Sequence, residues 1–422
     1  MRQRLRNLAK NDFLRNVTTL AAGTIISQIV VVAVSPLLSR LFTVEDFGVL
    51  SIFTSFTVFL AIVSTGRYEF AIGLPEDDNQ AKKIVKLIFC IGAYVSVFYF
   101  LAIIVLREVL KINDPTGFLS YKEAYIAPFY ILCIAIYSAL SYWNQRYKRY
   151  KSITIANSLQ VISTAFASIV FGLLGLHSGM IWALLVGIVA AIFYFVLRDT
   201  TIFSQVLKQK EIKQVAIHYS SFPRYMIFSD LSLSASQQFI PIVFSVFYGA
   251  TVVGLFSMAN RMLRLPNIVI TQSIGNVFRN EAIDEIREKG ECMRLYNSTF
   301  KKLLYMSLPS YLFLFIVSPI LFEVVFGKQW LQAGTFARII SVFLFVEFIA
   351  TPLNTLFYVR EKQKLLMWLQ LMNALAGAVM IYCGKYFFNS PSWSLILFST
   401  NSIIFNIVLL YYSKKLSKKQ RI

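Results

Sequence analysis

Arg261 and Arg264, three residues apart in an otherwise apolar run, are the side chains in this sequence best suited to hold a ligand. At about 100° per residue they share one helical face with Ser257, Gln272 and Asn276. A guanidinium presents a planar fork of donors that fits phosphate oxygens, and it stays charged when water is removed. An anionic head group is therefore the ligand these two residues would take. The structural alternative is that one of them pairs with Asp230 or Glu69 to hold helices together, or snorkels towards the inner surface. Further polar groups recur inside apolar runs, where by default they face a cavity or a bundle interior. Arg67 and Glu69 stand close in sequence, Gln28 lies in the first run, and Asp230, Ser234 and Gln237 share a face. Glu347, Thr351 and Asn354 share another. Arg261, Arg264, Arg67, Gln28, Gln237 and Gln272 are thus candidate substrate-binding residues, and Asp230, Glu347 and Glu69 candidate ion-coupling groups. The sequence has no nucleotide-binding P-loop and no Cys/His ligand spacing around its four cysteines. We expect no catalytic site, metal or cofactor.

These residues need elements to position them, and the composition says which kind. Hydrophobic residues make up 57% of the 422 and charged residues only 15%, with a mean hydropathy of +0.63. Soluble chains average about 25% charged residues, so lipid must be the solvent for most of this surface. Apolar runs long enough for helices to cross about 30 Å of hydrocarbon cover residues 17–39, 47–65, 84–106, 124–142, 153–174 and 178–197. Six more cover residues 225–247, 252–276, 303–325, 334–358, 365–387 and 393–412. Nothing alternates as barrel strands do. The fold expected is an all-α integral membrane protein of about twelve transmembrane helices.

The net charge of +20 sits in short clusters between the runs rather than in one patch, which argues against nucleic acid. With the N-terminus inside, about 32 Lys and Arg fall on the inner side and about six outside. That asymmetry places both termini inside. Pro266 in the eighth run is expected to bend its helix and free a carbonyl.

The two halves also look related. Pro36 precedes a turn and Gly48, as Pro241 precedes a turn and Gly254; Lys82 and Lys83 enter the third run, as Lys301 and Lys302 enter the ninth. The fifth run carries Asn157 and Gln160, the eleventh Gln370 and Asn373. Each matched pair crosses in the same direction, which implies a parallel repeat. Residues 1–200 form an N-terminal six-helix half, 201–218 a cytoplasmic linker and 219–422 a C-terminal six-helix half, arranged around a central cavity.

Residues 39–48 (SRLFTVEDFG), 67–75 (RYEFAIGLP), 219–223 (YSSFP), the Arg261, Arg264, Leu265, Pro266 run and 326–330 (FGKQW) resemble bacterial polysaccharide repeat-unit flippases. The similarity spans essentially the whole chain, and Gly48 with Arg67, Tyr68 and Glu69 is its most specific part. It implies the MATE-like fold of the multidrug/oligosaccharidyl-lipid/polysaccharide exporter (MOP) superfamily, in the bacterial inner membrane. The substrate implied is a polyprenyl-pyrophosphate-linked oligosaccharide, moved from the inner to the outer leaflet for O-antigen, capsule or exopolysaccharide. A polysaccharide polymerase and a chain-length regulator are the implied protein partners. Where relatives carry a basic residue in the first helix, this chain offers Gln28. Two other functions remain open at this stage: a cation-coupled drug exporter of the same fold, and a membrane-embedded glycosyltransferase or polymerase.

Overall fold

The computed structural model describes residues 26–112, 114–203 and 209–418. Side chains of a few residues within helices, Gln237 and Pro266 among them, lie outside the description, as do residues 17–25 of the first expected span.

The described chain is helical almost throughout. It separates into two compact units, Met1–Gln238 and Phe239–Ile422. In the first, α1 (Ile26–Leu41) turns into α2 (Val44–Ser64) through Thr43, whose hydroxyl accepts from the Asp46 amide at 3.2 Å. The Asp46 carboxylate accepts in return from the Thr43 amide at 2.8 Å. This reciprocal capping satisfies two amides that the first turn leaves without partners, so the turn sits where residues 39–48 place it. Then follow α3 (Asp78–Ile104), α4 (Ala127–Arg146), α5 (Tyr150–Leu173) and α6 (Gly179–Arg198). A shorter helix, α7 (Gln209–His218), packs its Ile212, Val215 and Ala216 on the apolar core that includes Ile84 and Ile88 of α3. The linker region thus contributes an amphipathic helix. Ile212, Val215 and Ala216 follow the three- and four-residue spacing of one helix face.

α8 (Ile227–Lys289) carries both the seventh and the eighth expected runs, broken at Gly249 (φ 76°, ψ 179°). That backbone region is open essentially to glycine alone, so the chain reverses there. At Pro266 the backbone keeps helical angles, Gly249 being the residue of non-helical backbone inside α8. The second unit continues with α9 (Met293–Phe326), α10 (Leu331–Leu353), α11 (Thr355–Val359), α12 (Gln363–Phe388) and α13 (Pro391–Ser417). Ten helices among the described residues are long and apolar enough to cross a membrane, and Ile26–Leu41 is a shorter apolar helix. The chain is a multi-pass membrane protein.

The units repeat one pattern of neighbours. In the first, α3 packs on α4, α5 on α6 and α4 on α6; in the second, α9 packs on α10, α12 on α13 and α10 on α13. Close approach relies on glycine in both. A Cβ on Gly187 of α6 would meet Thr164 and the Gln160 carbonyl of α5, and one on Gly384 of α12 would meet Ser394 of α13. Between membrane helices, where no water is displaced, such close contact supplies much of the attraction. Each unit also closes one end with an arginine after the corresponding helix. Arg146 donates to the carbonyls of Ile72 (3.1 Å), Pro75 (2.5 Å) and Glu76 (3.0 Å). Arg360 donates to those of Leu416 (3.0 Å), Gly290 (2.8 Å) and Lys418 (3.2 Å).

Candidate functional site

The charged residues among those predicted fall into two clusters, one in each unit. In the second unit, α8 and α10 bring Arg264 and Glu347 together across 83 positions of sequence. Arg264 Nη1 donates to Glu347 Oε1 at 2.7 Å and Nη2 to Oε2 at 3.1 Å, a fork-to-fork pair. Arg264 Nε donates to Asn260 Oδ1 one turn earlier, at 2.8 Å, and the Phe343 ring lies 5.8 Å from the guanidinium carbon. The pair is not sealed: Arg264 retains 33% of its side-chain exposure and Glu347 25%. Two of the five guanidinium N–H groups stay uncommitted. Arg261 is exposed, and among the described residues it makes no hydrogen bond and no ion pair. Gln272 and Asn276, further along α8, are also exposed. Two guanidinium groups and one carboxylate leave this cluster with one excess positive charge.

The first unit holds the opposite balance. Gly66 and Arg67 both take the left-handed conformation (φ 57° and 59°) between α2 and a short 3-10 turn, Tyr68–Ala71. Glycine adopts that region freely, whereas for arginine it costs on the order of 1 kcal/mol, so local bonds must hold it. Thr65 supplies them: its hydroxyl accepts from the Arg67 amide (3.2 Å) and donates to Glu69 Oε1 (3.1 Å). Arg67 Nη1 donates to the same oxygen at 3.1 Å. Arg67 Nε lies 2.7 Å from Asp230 Oδ2 of α8; its N–H is not aimed at an acceptor, so this is a charge contact rather than a hydrogen bond. Glu69 is 2% exposed, and its Oε2 has no partner among the described residues. Tyr68 anchors the turn by donating to the Ala216 carbonyl of α7 at 3.0 Å. One guanidinium faces two carboxylates here, an excess negative charge.

The acids named as alternative partners for Arg261 and Arg264, Asp230 and Glu69, belong to Arg67 instead. Gln28 is partly buried on α1, and the side chain of Gln237 lies outside the described residues; its neighbour Gln238 accepts from Ser55 at 3.1 Å. Asn260 and Phe343 were not singled out from sequence. Asn260 stands four residues before Arg264, a spacing that does signal contact, while Phe343 carries no such signal. A recess of about 310 Å³ lined by Thr43, Glu45, Asp46, Tyr121, Glu123 and His177 contains none of the predicted residues. Its acidic lining would repel a phosphate, and Asp46 already serves as a cap there.

Comparison with known proteins adds the family. No curated protein matches the chain by sequence. Among solved structures, the chain resembles a lipid II flippase in an inward closed conformation, with a TM-score of 0.72 at 15% identity over 93% of this chain and 87% of that one. It resembles an inward-facing multidrug resistance MATE family transporter of the MOP superfamily (TM-score 0.65, 15% identity, 94% and 93% covered). A MOP superfamily transporter from Pyrococcus furiosus, whose binding pocket is described as reversed in polarity, matches at TM-score 0.58 and 14% identity, with 96% of each chain covered. Residues 37–335 match the family described as "Polysaccharide biosynthesis protein". With the fold of MOP superfamily transporters and that match over most of its length, the chain belongs to the polysaccharide biosynthesis protein family.

Proposed function

We propose that this protein is a flippase that moves polyprenyl-pyrophosphate-linked oligosaccharide repeat units from the inner to the outer leaflet of a bacterial inner membrane, by alternating access. The observation that carries the reading is Arg261: a guanidinium within an apolar helix, one turn from a second guanidinium, with no hydrogen bond or ion pair among the described residues. A cation without a counter-ion inside a membrane-spanning segment is costly, and a pyrophosphate offers the charge and the oxygen geometry to satisfy it. Family membership supports a role in making a surface polysaccharide. Gln272 and Gln28 would contact sugar hydroxyls, with Gln237 as a further candidate. Arg67 would meet the head group at a different stage from Arg261.

Asp230, Glu69 and Glu347 are the groups through which an ion gradient would act, Glu69 foremost because one of its oxygens is buried without a partner. A cationic drug is disfavoured as substrate by the excess positive charge around Arg261. No chemistry beyond transport is assigned, so the protein is not proposed to be an enzyme. A polymerase and a chain-length regulator would take the product on the outer face.

The test is flipping of a fluorescent polyprenyl-pyrophosphoryl saccharide in proteoliposomes. We expect transport by the purified protein, loss of most of it in Arg261→Ala, and no sugar transfer. Full transport by an Arg261→Ala, Arg264→Ala double variant would end the reading.

A further inference from the structure

In the fold described above, the carboxylate of Glu347 occupies Arg264 in the way a phosphate would. Both Nη atoms meet one oxygen each, at 2.7 and 3.1 Å, and a phosphate presents the same two-oxygen edge to the same fork. Two further groups hold Arg264 in place: Asn260, on α8 itself, fixes Nε, and the Phe343 ring of α10 lies against the guanidinium. The fork would therefore keep its aim with the carboxylate gone. Each member is a quarter to a third exposed, so an anion can reach the pair. Arg261 waits one turn away with no hydrogen bond or ion pair among the described residues. Glu347 stands on a different helix, α10, so its departure need not disturb α8.

We propose that Glu347 is an internal competitor for the substrate head group: it fills Arg264 while the site is empty, yields the fork when a pyrophosphate bridges Arg261 and Arg264, and returns to eject it. This rests on the flippase reading and assigns Glu347 a role in that same site. A transporter has to release what it binds. A tethered carboxylate at the fork lowers apparent affinity by the fraction of time it occupies the site, and speeds release by the same competition. Arg261 supplies recognition that Glu347 does not contest.

The protein in lipid nanodiscs, titrated calorimetrically with inorganic pyrophosphate and with farnesyl pyrophosphate, tests this. Glu347→Gln keeps the shape and removes the competing charge, so it should bind both probes about tenfold more tightly than wild type. In proteoliposomes the same variant should show a lower half-saturating substrate concentration together with a lower maximal rate, because release has lost its competitor. Glu347→Asp, which keeps the charge on a shorter arm, should fall between; it supplies the readout if the Gln variant does not fold. Equal or weaker binding in folded Glu347→Gln, or in Glu347→Asp where that variant stands in, overturns the proposal. Binding that still requires Arg261 would then leave the flippase reading standing. Absence of binding in wild type and both variants would remove the head-group reading and the competitor with it.

Discussion

Arg261 and Arg264 sit one turn apart in different electrostatic circumstances, and substitution should separate them. Arg261→Ala removes no hydrogen bond or ion pair among the described residues, so membrane abundance should stay near wild type while surface polysaccharide falls. Arg264→Ala leaves Glu347 without its counter-charge, and the stranded carboxylate should lower abundance. Adding Glu347→Gln to Arg264→Ala should restore abundance but not export. Quantitative immunoblots of membranes beside polysaccharide gels read both. At this scale the sequence identified the chemistry better than the pairing. Arg261, Arg264, Asp230, Glu69 and Glu347 stood out because charge in an apolar run is rare. That Arg264 meets Glu347 and Arg67 meets Asp230 follows from tertiary contacts across 83 and 163 positions, and one sequence contains no record of such distances. The left-handed Arg67 was half legible, since the preceding Gly66 marks a place where the chain can turn that way.

Elements were the most legible part. The second apolar run, 47–65, becomes Val44–Ser64, and the eleventh, 365–387, becomes Gln363–Phe388, because twenty apolar residues in lipid have few options besides a helix. Two features escaped. α7 was read as linker since its mean hydropathy is low, and the reversal inside α8 was not assigned to Gly249. Helix contacts give firm predictions. Gly187→Leu and Gly384→Leu should each cost about 1–3 kcal/mol by overpacking, read as a lower unfolding temperature in detergent and less monodisperse protein on size exclusion. The end of α6 offers a pH test. Burial raises the Asp199 carboxyl, but bonds from Thr201, Arg149 (2.6 Å) and Trp143 (3.2 Å) outweigh it and hold the group below its ordinary value. A depressed carboxylate stabilises the fold above its unfolded value of about 3.9, and that stabilisation is lost as pH falls through the folded value. Asp199→Asn should therefore melt earlier than wild type at pH 7, and the gap should close as the pH drops below about 4. A gap independent of pH would mean that the amide fails for steric reasons.

For the whole molecule, the recurrence of neighbours, of glycine contacts and of the Arg146 and Arg360 clamps favours the proposed duplication of six helices. The compact units divide at Gln238 rather than in the linker because the start of α8 packs with the first unit, through Ser55 to Gln238 and Arg67 to Asp230. Sequence repeat and packing unit are different quantities, and the division at 201–218 remains a proposal about the repeat. Orientation is likewise proposed, from the distribution of lysine and arginine. In a variant lacking the four native cysteines, single cysteines at Asp114 and Gln329 should react with an impermeant thiol reagent outside spheroplasts. Those at Lys213 and Lys418 should react only after lysis. Labelling of Lys213 from outside would reverse the orientation.

The Arg264–Glu347 pair has an electrical consequence. With Glu347 in place the empty cluster carries one net charge, that of Arg261, rather than two. An inside-negative voltage acts on each charge that crosses the field by about 2.3 kcal/mol per 100 mV. On the proposed flippase reading, a doubly ionised pyrophosphate added to Arg261, Arg264 and Glu347 would turn the cluster from one net positive to one net negative charge. An inside-negative voltage would then favour both the outward step of the loaded site and the inward return of the empty one.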